Sequence, residues 1–380
     1  MGKRELVLIA LFVALGVVVY RFTAPPPPPG SQEVSVGGIF NRLKREVQGT
    51  RESASADTKE TLAIDGGVRL VRINLPRQND LTVVGTDGAD ILVEMRVVAR
   101  GYSPAEAKVA ADAARIKLER VGDAVAISAN WPARTGQNSS FINQGTFTVS
   151  VPKRLQVRVE PHNGILELRD VAGVEIMGSR GATRISNVSG HVALVHTGGK
   201  LELENLASLK LTGRNSVGRV KNVSGVTSLD LTNGELKFDE VVGPVDVEAR
   251  NIEFAFDAAK MTKGPFRLNA NNGTTRIDNL RTEARIDGRN SDLNVGLAAA
   301  APITIYSTGQ DIIITAPPGG YTVDAVATEG QLVLDDGSLK IAGEEQQREQ
   351  RASGAIRGGG AALTLRATRA DIRLRKPEGK

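Results

Sequence analysis

The chain has 380 residues, 41 of them glycine, with 4 % aromatics, no cysteine and a formal net charge of +5. The lack of cysteine excludes a disulfide framework and a lipid-modified thiol. Apolar content carried by Val, Leu and Ile implies a narrow interior with little room for rings, and the length suits one elongated domain.

Lys3 and Arg4 precede an uncharged apolar run over residues 6–20. That length is short for a spanning helix and also suits a signal-peptide core. No Ala-x-Ala site follows, however, and Pro25 directly after Ala24 blocks cleavage. The expectation is an uncleaved transmembrane anchor over residues 1–24, in contact with the membrane. Basic residues ahead of the run place the body on the periplasmic or extracellular side. Residues 25–60 read as a linker: prolines 25–29 are stiff and extended. Ile39, Phe40, Leu43 and Val47 then fall at helical spacing among Arg42, Lys44 and Arg45. That short amphipathic helix either caps an open core or touches anionic lipid. Residues 50–60 are polar and read as linker.

From residue 61 the chain is β-rich, and residues 68–73, 81–84, 91–98, 125–127, 147–151 and 155–159 read as strands. One helix interrupts them. Ser103-Pro104-Ala105-Glu106 is a capping box with proline at the first helical place, leading into an Ala-rich stretch to about Leu118. Val109, Ala113 and Ile116 form its apolar face, which is expected to pack on the side of the β-body.

Beyond residue 160 a short unit recurs. Segments begin at Asn163, Arg180, Gly198, Asn215, Asn233, Asn251, Asn272, Asn290, Gly309 and Glu329, and after a doubled spacing at Arg369. The sixth place is always apolar: Leu168, Ile185, Leu203, Val220, Phe238, Phe256, Ile277, Val295, Ile314, Leu334 and Leu374. Alternation at period two marks a strand with one buried face. A second alternating stretch follows in most units, with Val174 and Ile176, Leu209 and Leu211, Val245 and Val247, or Phe266 and Leu268. A repeat is therefore two short strands and two tight corners, and a fixed period of this size signals a repeat architecture.

An antiparallel meander and a solenoid both use such a unit, and the outward places favour the second. Fifth places read Glu167, Arg184, Glu202, Arg219 and Lys237, and eighth places read Asp170, Asn187, Asn205 and Asn222. Stacked one strand apart, these make a charge ladder and an amide column. The expected fold is all-β: a parallel β-solenoid (β-helix) of two-strand coils over residues 61–376, with one side-packed helix and an N-terminal transmembrane helix. The polar stretch 343–360 is expected to project as a loop, accounting for the doubled spacing.

The order of features resembles a known family. An early turn at Val83-Val84-Gly85-Thr86-Asp87-Gly88, the capped helix, a strand ending Val151-Pro152, the Asn-Gly repeats and the closing Asp371-Ile372-Arg373-Leu374 are similar to the bacterial putative-adhesin family of β-strand-repeat domains, related to auto-transporter adhesin heads. The resemblance implies an exported β-helical domain beside a membrane anchor and carries no catalytic residues with it.

Candidate chemistry is sparse. His191 and His196 point to opposite faces of one strand and cannot share a metal; His162 is the third histidine. Asp239, Asp257 and Asp278, the seventh places of three repeats, would stack as a carboxylate column. That column is either a Ca2+ site or a pair of polysaccharide-cleaving acids, or a solvated face with Lys237 and Arg276 alongside. Arg267, Arg276, Arg281, Arg285 and Arg289 are candidates for a binding face toward an anionic glycan or lipid headgroup. No aromatic platform interleaves them, which argues against nucleic acid. Three functions follow: a non-catalytic scaffold of the cell envelope binding a protein or glycan, without cofactor; a β-helix carbohydrate-active enzyme; and an envelope-stress sensor working with a membrane partner.

Overall fold

A computed structural model describes residues 8, 11, 12, 15, 16, 52–76, 79–131, 140–342 and 348–376. By compactness the chain divides into two units, one of Met1–Ala56, Val98–Ala113 and Pro132–Asn143, the other of Asp57–Val97, Ala114–Trp131 and Gln144–Lys380.

The first unit holds the helix Pro104–Asp112, whose start is the expected capping residue: Ser103 Oγ accepts from the Glu106 amide at 3.2 Å. Its end and its apolar face differ from expectation. The chain leaves the helix at Ala113, and Arg115–Val121 is a strand, because Ile116 and Leu118 alternate with Arg115, Lys117 and Glu119. The buried helical residues are Ala107, Ala110 and Ala111, and Val109 is 71 % exposed.

In the second unit the repeats pair in parallel, register for register. Leu209, Thr227, Val245, Phe266, Ala284 and Ile303 stand side by side through the middle repeats. Their side chains point inward, and ten of the eleven sixth-place residues are buried, Leu334 being half-buried. The interior has more room for rings than composition implies: Phe238, Phe254, Phe256 and Phe266 gather with centroids 5.0–6.3 Å apart.

The corners are set by left-handed residues. Asn215, Asn233, Asn251, Asn272 and Asn290 have φ between 50° and 57°, and the second corner repeats this at Asp170, Asn187, Asn205 and Asn222 with φ between 55° and 61°. Asparagine tolerates this region better than most side chains. Its amide also reaches the neighbouring repeat. Asn187 Nδ2 donates to Asp170 Oδ1 at 3.0 Å, Asn205 to Asn187 at 2.9 Å and Asn222 to Asn205 at 2.8 Å. At the first corner Asn233 donates to Asn215 and Asn272 to Asn251, both at 3.0 Å. Gly234 follows there because a Cβ would lie 2.1 Å from the Ser216 carbonyl oxygen. Along the strand between, Arg184 bridges Glu167 at 2.9 Å and Glu202 at 2.7 Å, and Lys200 joins Arg184 in holding the Glu202 carboxyl below its usual range.

The expected architecture needs correction. The described strands form one 24-stranded sheet that does not close, and strand order departs from chain order at both ends. Ala361–Thr368 lies between Ile303–Thr308 and Tyr321–Thr328, and Ile372–Arg375 lies between Ile312–Thr315 and Leu332–Leu334. The Arg369 segment is thus inserted ahead of the Glu329 segment instead of following it. Near the start, Gln156–Val159 separates Leu70–Asn74 from Gly173–Arg180. Antiparallel pairs occur as well, Arg115–Val121 with Ala124–Asn130 and Tyr321–Thr328 with Glu349–Ile356. Periodicity reports how far apart like segments lie in the chain, and it is silent on which of them become neighbours. Stacking in chain order therefore holds through the middle repeats only, and both ends depart from it.

Two segments read as irregular are strands. Glu52–Ala63 buries no residue, so it shows no apolar alternation. Glu349–Ile356 pairs with Tyr321–Thr328, and only residues 343–347 of the expected loop lie outside the described residues. The N-terminal expectation is set aside. No helix among the described residues is long and apolar enough to cross a membrane, and the apolar run falls short of the roughly 20 residues a span requires. With the anchor goes the membrane-based placement of the body. Most of residues 1–24, and the short helix expected within 39–47, lie outside the described residues.

The amide columns yield a graded prediction. Asn205→Ala lowers folding stability by about 2 kcal/mol, combining the left-handed backbone cost with the lost hydrogen bonds. Asn205→Gly removes only the hydrogen bonds and costs about half as much. Urea denaturation of the full chain followed by circular dichroism measures both, and equal losses contradict the assignment.

Candidate functional site

The second alternating stretch of each repeat buries every other residue, with the residues between pointing outward. In-register pairing lines these outward residues into three columns on one face. The first runs Lys210, Ser228, Asp246, Arg267, Arg285 and Thr304; the second Thr212, Asp230, Glu248, Asn269, Asp287 and Tyr306; the third Arg214, Thr232, Arg250, Asn271, Arg289 and Thr308. Neighbours within a column are one strand spacing apart, about 4.8 Å.

Two shallow clefts lie on this face. One of about 300 Å³ is lined by Glu248, Arg250, Asn271, Asp287, Arg289 and Tyr306 among others. The second, of about 220 Å³, includes Lys210, Thr212, Asp230 and Asp246, and it shares Glu248 and Arg250 with the first. They therefore adjoin. Between them the polar groups are partly matched: Arg250 Nη1 lies 3.5 Å from Asp230 Oδ1, and Asn269 Nδ2 donates to Glu248 Oε1 at 3.5 Å. Arg285 Nε donates to Asp287 Oδ2 at 2.9 Å, while its guanidinium carbon sits 5.2 Å from the Tyr306 ring centroid. Tyr306 is 39 % exposed, an unusual position for a large ring on this chain. Arg214 and Arg289 have no ion-pair partner among the described residues.

The five sequence-picked arginines divide. Arg267, Arg285 and Arg289 fall on this face, the first two as direct cross-strand partners. Arg276 stands on the other strand of its repeat, 2.8 Å from Asp278, and Arg281 lies in the turn after that strand. The acids and amides of the face, Asp230, Glu248, Asn269 and Asp287, escaped notice. The signal was present, since each is the residue between two apolar ones in the second alternating stretch, but it emerges only when those places are compared repeat by repeat.

Asp239, Asp257 and Asp278 occupy matching places, with Asp257 and Asp278 directly opposed. Each has its own partner. Asp239 is buried, 2.6 Å from Arg219 and 3.7 Å from Lys237. Asp257 accepts from the Ala259 amide at 3.0 Å and from Asn279 at 2.9 Å, and Asp278 is held by Arg276. No three His, Cys, Asp or Glu side chains converge as a metal site among the described residues.

The histidines separate by burial. His191 is exposed, with Nδ1 3.0 Å from Ser208 Oγ. His196 is fully buried, Nδ1 2.7 Å from Ser216 Oγ and Nε2 3.3 Å from the Gly181 carbonyl oxygen. His162 is buried two strands away, across Ser179. Burial pushes both His162 and His196 below the ordinary imidazole value, with weaker opposing pulls from backbone groups and, at His162, Asp80.

No family model and no curated protein matches the chain. Among solved structures it is similar to a putative cell adhesion protein from Clostridium sporogenes, at 10 % identity and a TM-score of 0.20 over 84 % of this chain and 100 % of that one. It is also similar to a putative lipid binding protein from Parabacteroides distasonis, at 11 % identity and a TM-score of 0.31 over 86 % of this chain and 98 % of that one. A putative adhesin from Parabacteroides merdae gives 9 % identity and a TM-score of 0.23 over 86 % and 97 %. Scores this low transfer nothing from those proteins to this one.

The buried histidines set a pH dependence. Both take up a proton less readily in the folded chain than in the unfolded chain, which does so near pH 6.5. Stability is therefore fully present above that value and falls as pH drops below it. The urea midpoint is expected to decline between about pH 7.5 and pH 5.5 and to decline less in His196→Gln. A flat profile in the native chain contradicts this.

Proposed function

We propose that the three-column face is a non-catalytic binding surface for a glycan chain. The observation that carries this is the pair of adjoining clefts sharing Glu248 and Arg250, floored by side chains that donate and accept hydrogen bonds and flanked by the exposed Tyr306 ring. Pockets for small apolar ligands are enclosed and mostly apolar, whereas this floor is polar. A hydroxyl-rich chain meets it on equal terms. Carboxylates accept from sugar hydroxyls, guanidinium and amide groups donate to them, and a tyrosine ring offers a face for stacking.

The stacked aspartates are read as structural. The buried Asp239 carboxylate is occupied by Arg219 and Lys237. A pair able to cleave a glycosidic bond needs one acid kept protonated beside a free carboxylate. A protein ligand remains a weaker fit, since the face has no central apolar anchor other than the tyrosine.

Binding of the full chain to an immobilised glycan array provides the test. Tyr306→Ala and Asp287→Ala are expected each to weaken retention of the bound glycans about tenfold, the loss of roughly one good contact. Arg276→Gln, off the face, leaves retention unchanged. Equal retention by all three variants overturns the placement of the surface.

A further inference from the structure

The third column of the face has an alternation that the other two lack. Arg214, Arg250 and Arg289 occupy every second strand, and the strands between carry the uncharged Thr232 and Asn271. With about 4.8 Å between strands, successive guanidinium groups are attached roughly 10 Å apart. An extended β-linked disaccharide has about the same length. Beside this column runs the second, where Glu248 and Asp287 share the strands of Arg250 and Arg289, and Asp230 stands on the Thr232 strand between Arg214 and Arg250. We infer that the ligand is a linear acidic polysaccharide with one anionic group per disaccharide, lying across the strands so that each acid meets one arginine.

Charge bookkeeping supports this choice over its neighbours. A neutral glycan leaves Arg214 and Arg289 desolvated without an anion. A polymer charged at every residue, whether a polyuronate or a nucleic acid strand, sets half its charges beside Thr232 and Asn271, which supply no cation, and on the Thr232 strand Asp230 repels it. An alternating ligand matches acid to arginine along the third column and sets its uncharged sugars beside Thr232 and Asn271. Arg250 reaches Asp230 at 3.5 Å, so this pair loosens to admit the ligand, while Arg214 and Arg289 are already open.

This inference rests on the glycan-surface reading, and the experiment separates the two. Isothermal titration calorimetry of the full chain compares length-matched oligosaccharides: hyaluronan, with one carboxylate per disaccharide, a neutral chitooligosaccharide, and an oligogalacturonate charged on every sugar. A single-stranded oligodeoxynucleotide is included. The hyaluronan oligomer is expected to bind at least tenfold more tightly than any other, with about tenfold lost in each of Arg289→Gln and Arg214→Gln and recovery in part by Arg289→Lys. Both positions are exposed, and thermal denaturation verifies that each variant folds. Equal affinity for the neutral chain, or tighter binding of the oligogalacturonate, overturns the alternation and leaves the glycan surface standing. Absence of binding to every sugar overturns both, as does preference for the oligodeoxynucleotide.

Discussion

A residue in left-handed conformation at the first place of every repeat from Gly198 onward is the constraint on which this molecule depends. It turns the chain sharply enough for the next strand to come alongside its counterpart in register, and asparagine supplies it with an amide that bonds to the repeat before. Where asparagine is absent, Gly198, Gly309, Glu329 and Arg369 hold the same conformation, so the corner geometry persists without the ladder. For Glu329 and Arg369 that conformation costs energy that glycine would not pay, offset by the surrounding pairings on both sides. Register then follows. Because side chains alternate at period two, a slip of one residue would turn every buried Leu, Val and Phe outward, so the apolar interior and the corners enforce the same pairing.

The outer surface is a consequence of that enforcement. Residues 18 to 21 apart in the chain become neighbours one strand apart, and any polar preference held at one place of the repeat is multiplied into a column. Some columns serve the fold: the amides at the corners, Arg184 between Glu167 and Glu202, and Asp239 between Arg219 and Lys237. The face carrying Glu248, Arg250, Asp287 and Tyr306 is different, since its charges are only partly matched among themselves and it is hollowed into clefts. A surface with unspent hydrogen-bonding capacity, presented by rigid strands, is suited to holding an extended polar chain.

Much of this was legible in the residues. The sixth-place apolar series reports the buried positions, and the asparagines at the eighth place report the amide column, because both depend only on local periodicity. What failed depends on partners distant in the chain. The Arg369 segment fits the repeat pattern as well as the Glu329 segment does, and nothing local states that the later one pairs first with Ile312–Thr315. Glu52–Ala63 was unreadable for another reason: a strand that buries nothing writes no alternation into its sequence. The candidate face was half visible. Positive charge drew attention to Arg267, Arg285 and Arg289, yet the acids and amides between them became meaningful only once cross-strand partners were known.

Direct evidence on register would come from paired cysteines in this cysteine-free chain. Ser228 and Asp246 are cross-strand partners, whereas Ser228 and Glu248 are offset by two residues. Oxidation of the Ser228→Cys, Asp246→Cys chain is expected to give a disulfide in nearly every molecule, because opposed Cα atoms lie within the range such a bond spans. The Ser228→Cys, Glu248→Cys chain is expected to stay reduced under the same conditions. Ready cross-linking of the offset pair, with none in the aligned pair, would contradict the register and remove the columns that build the face.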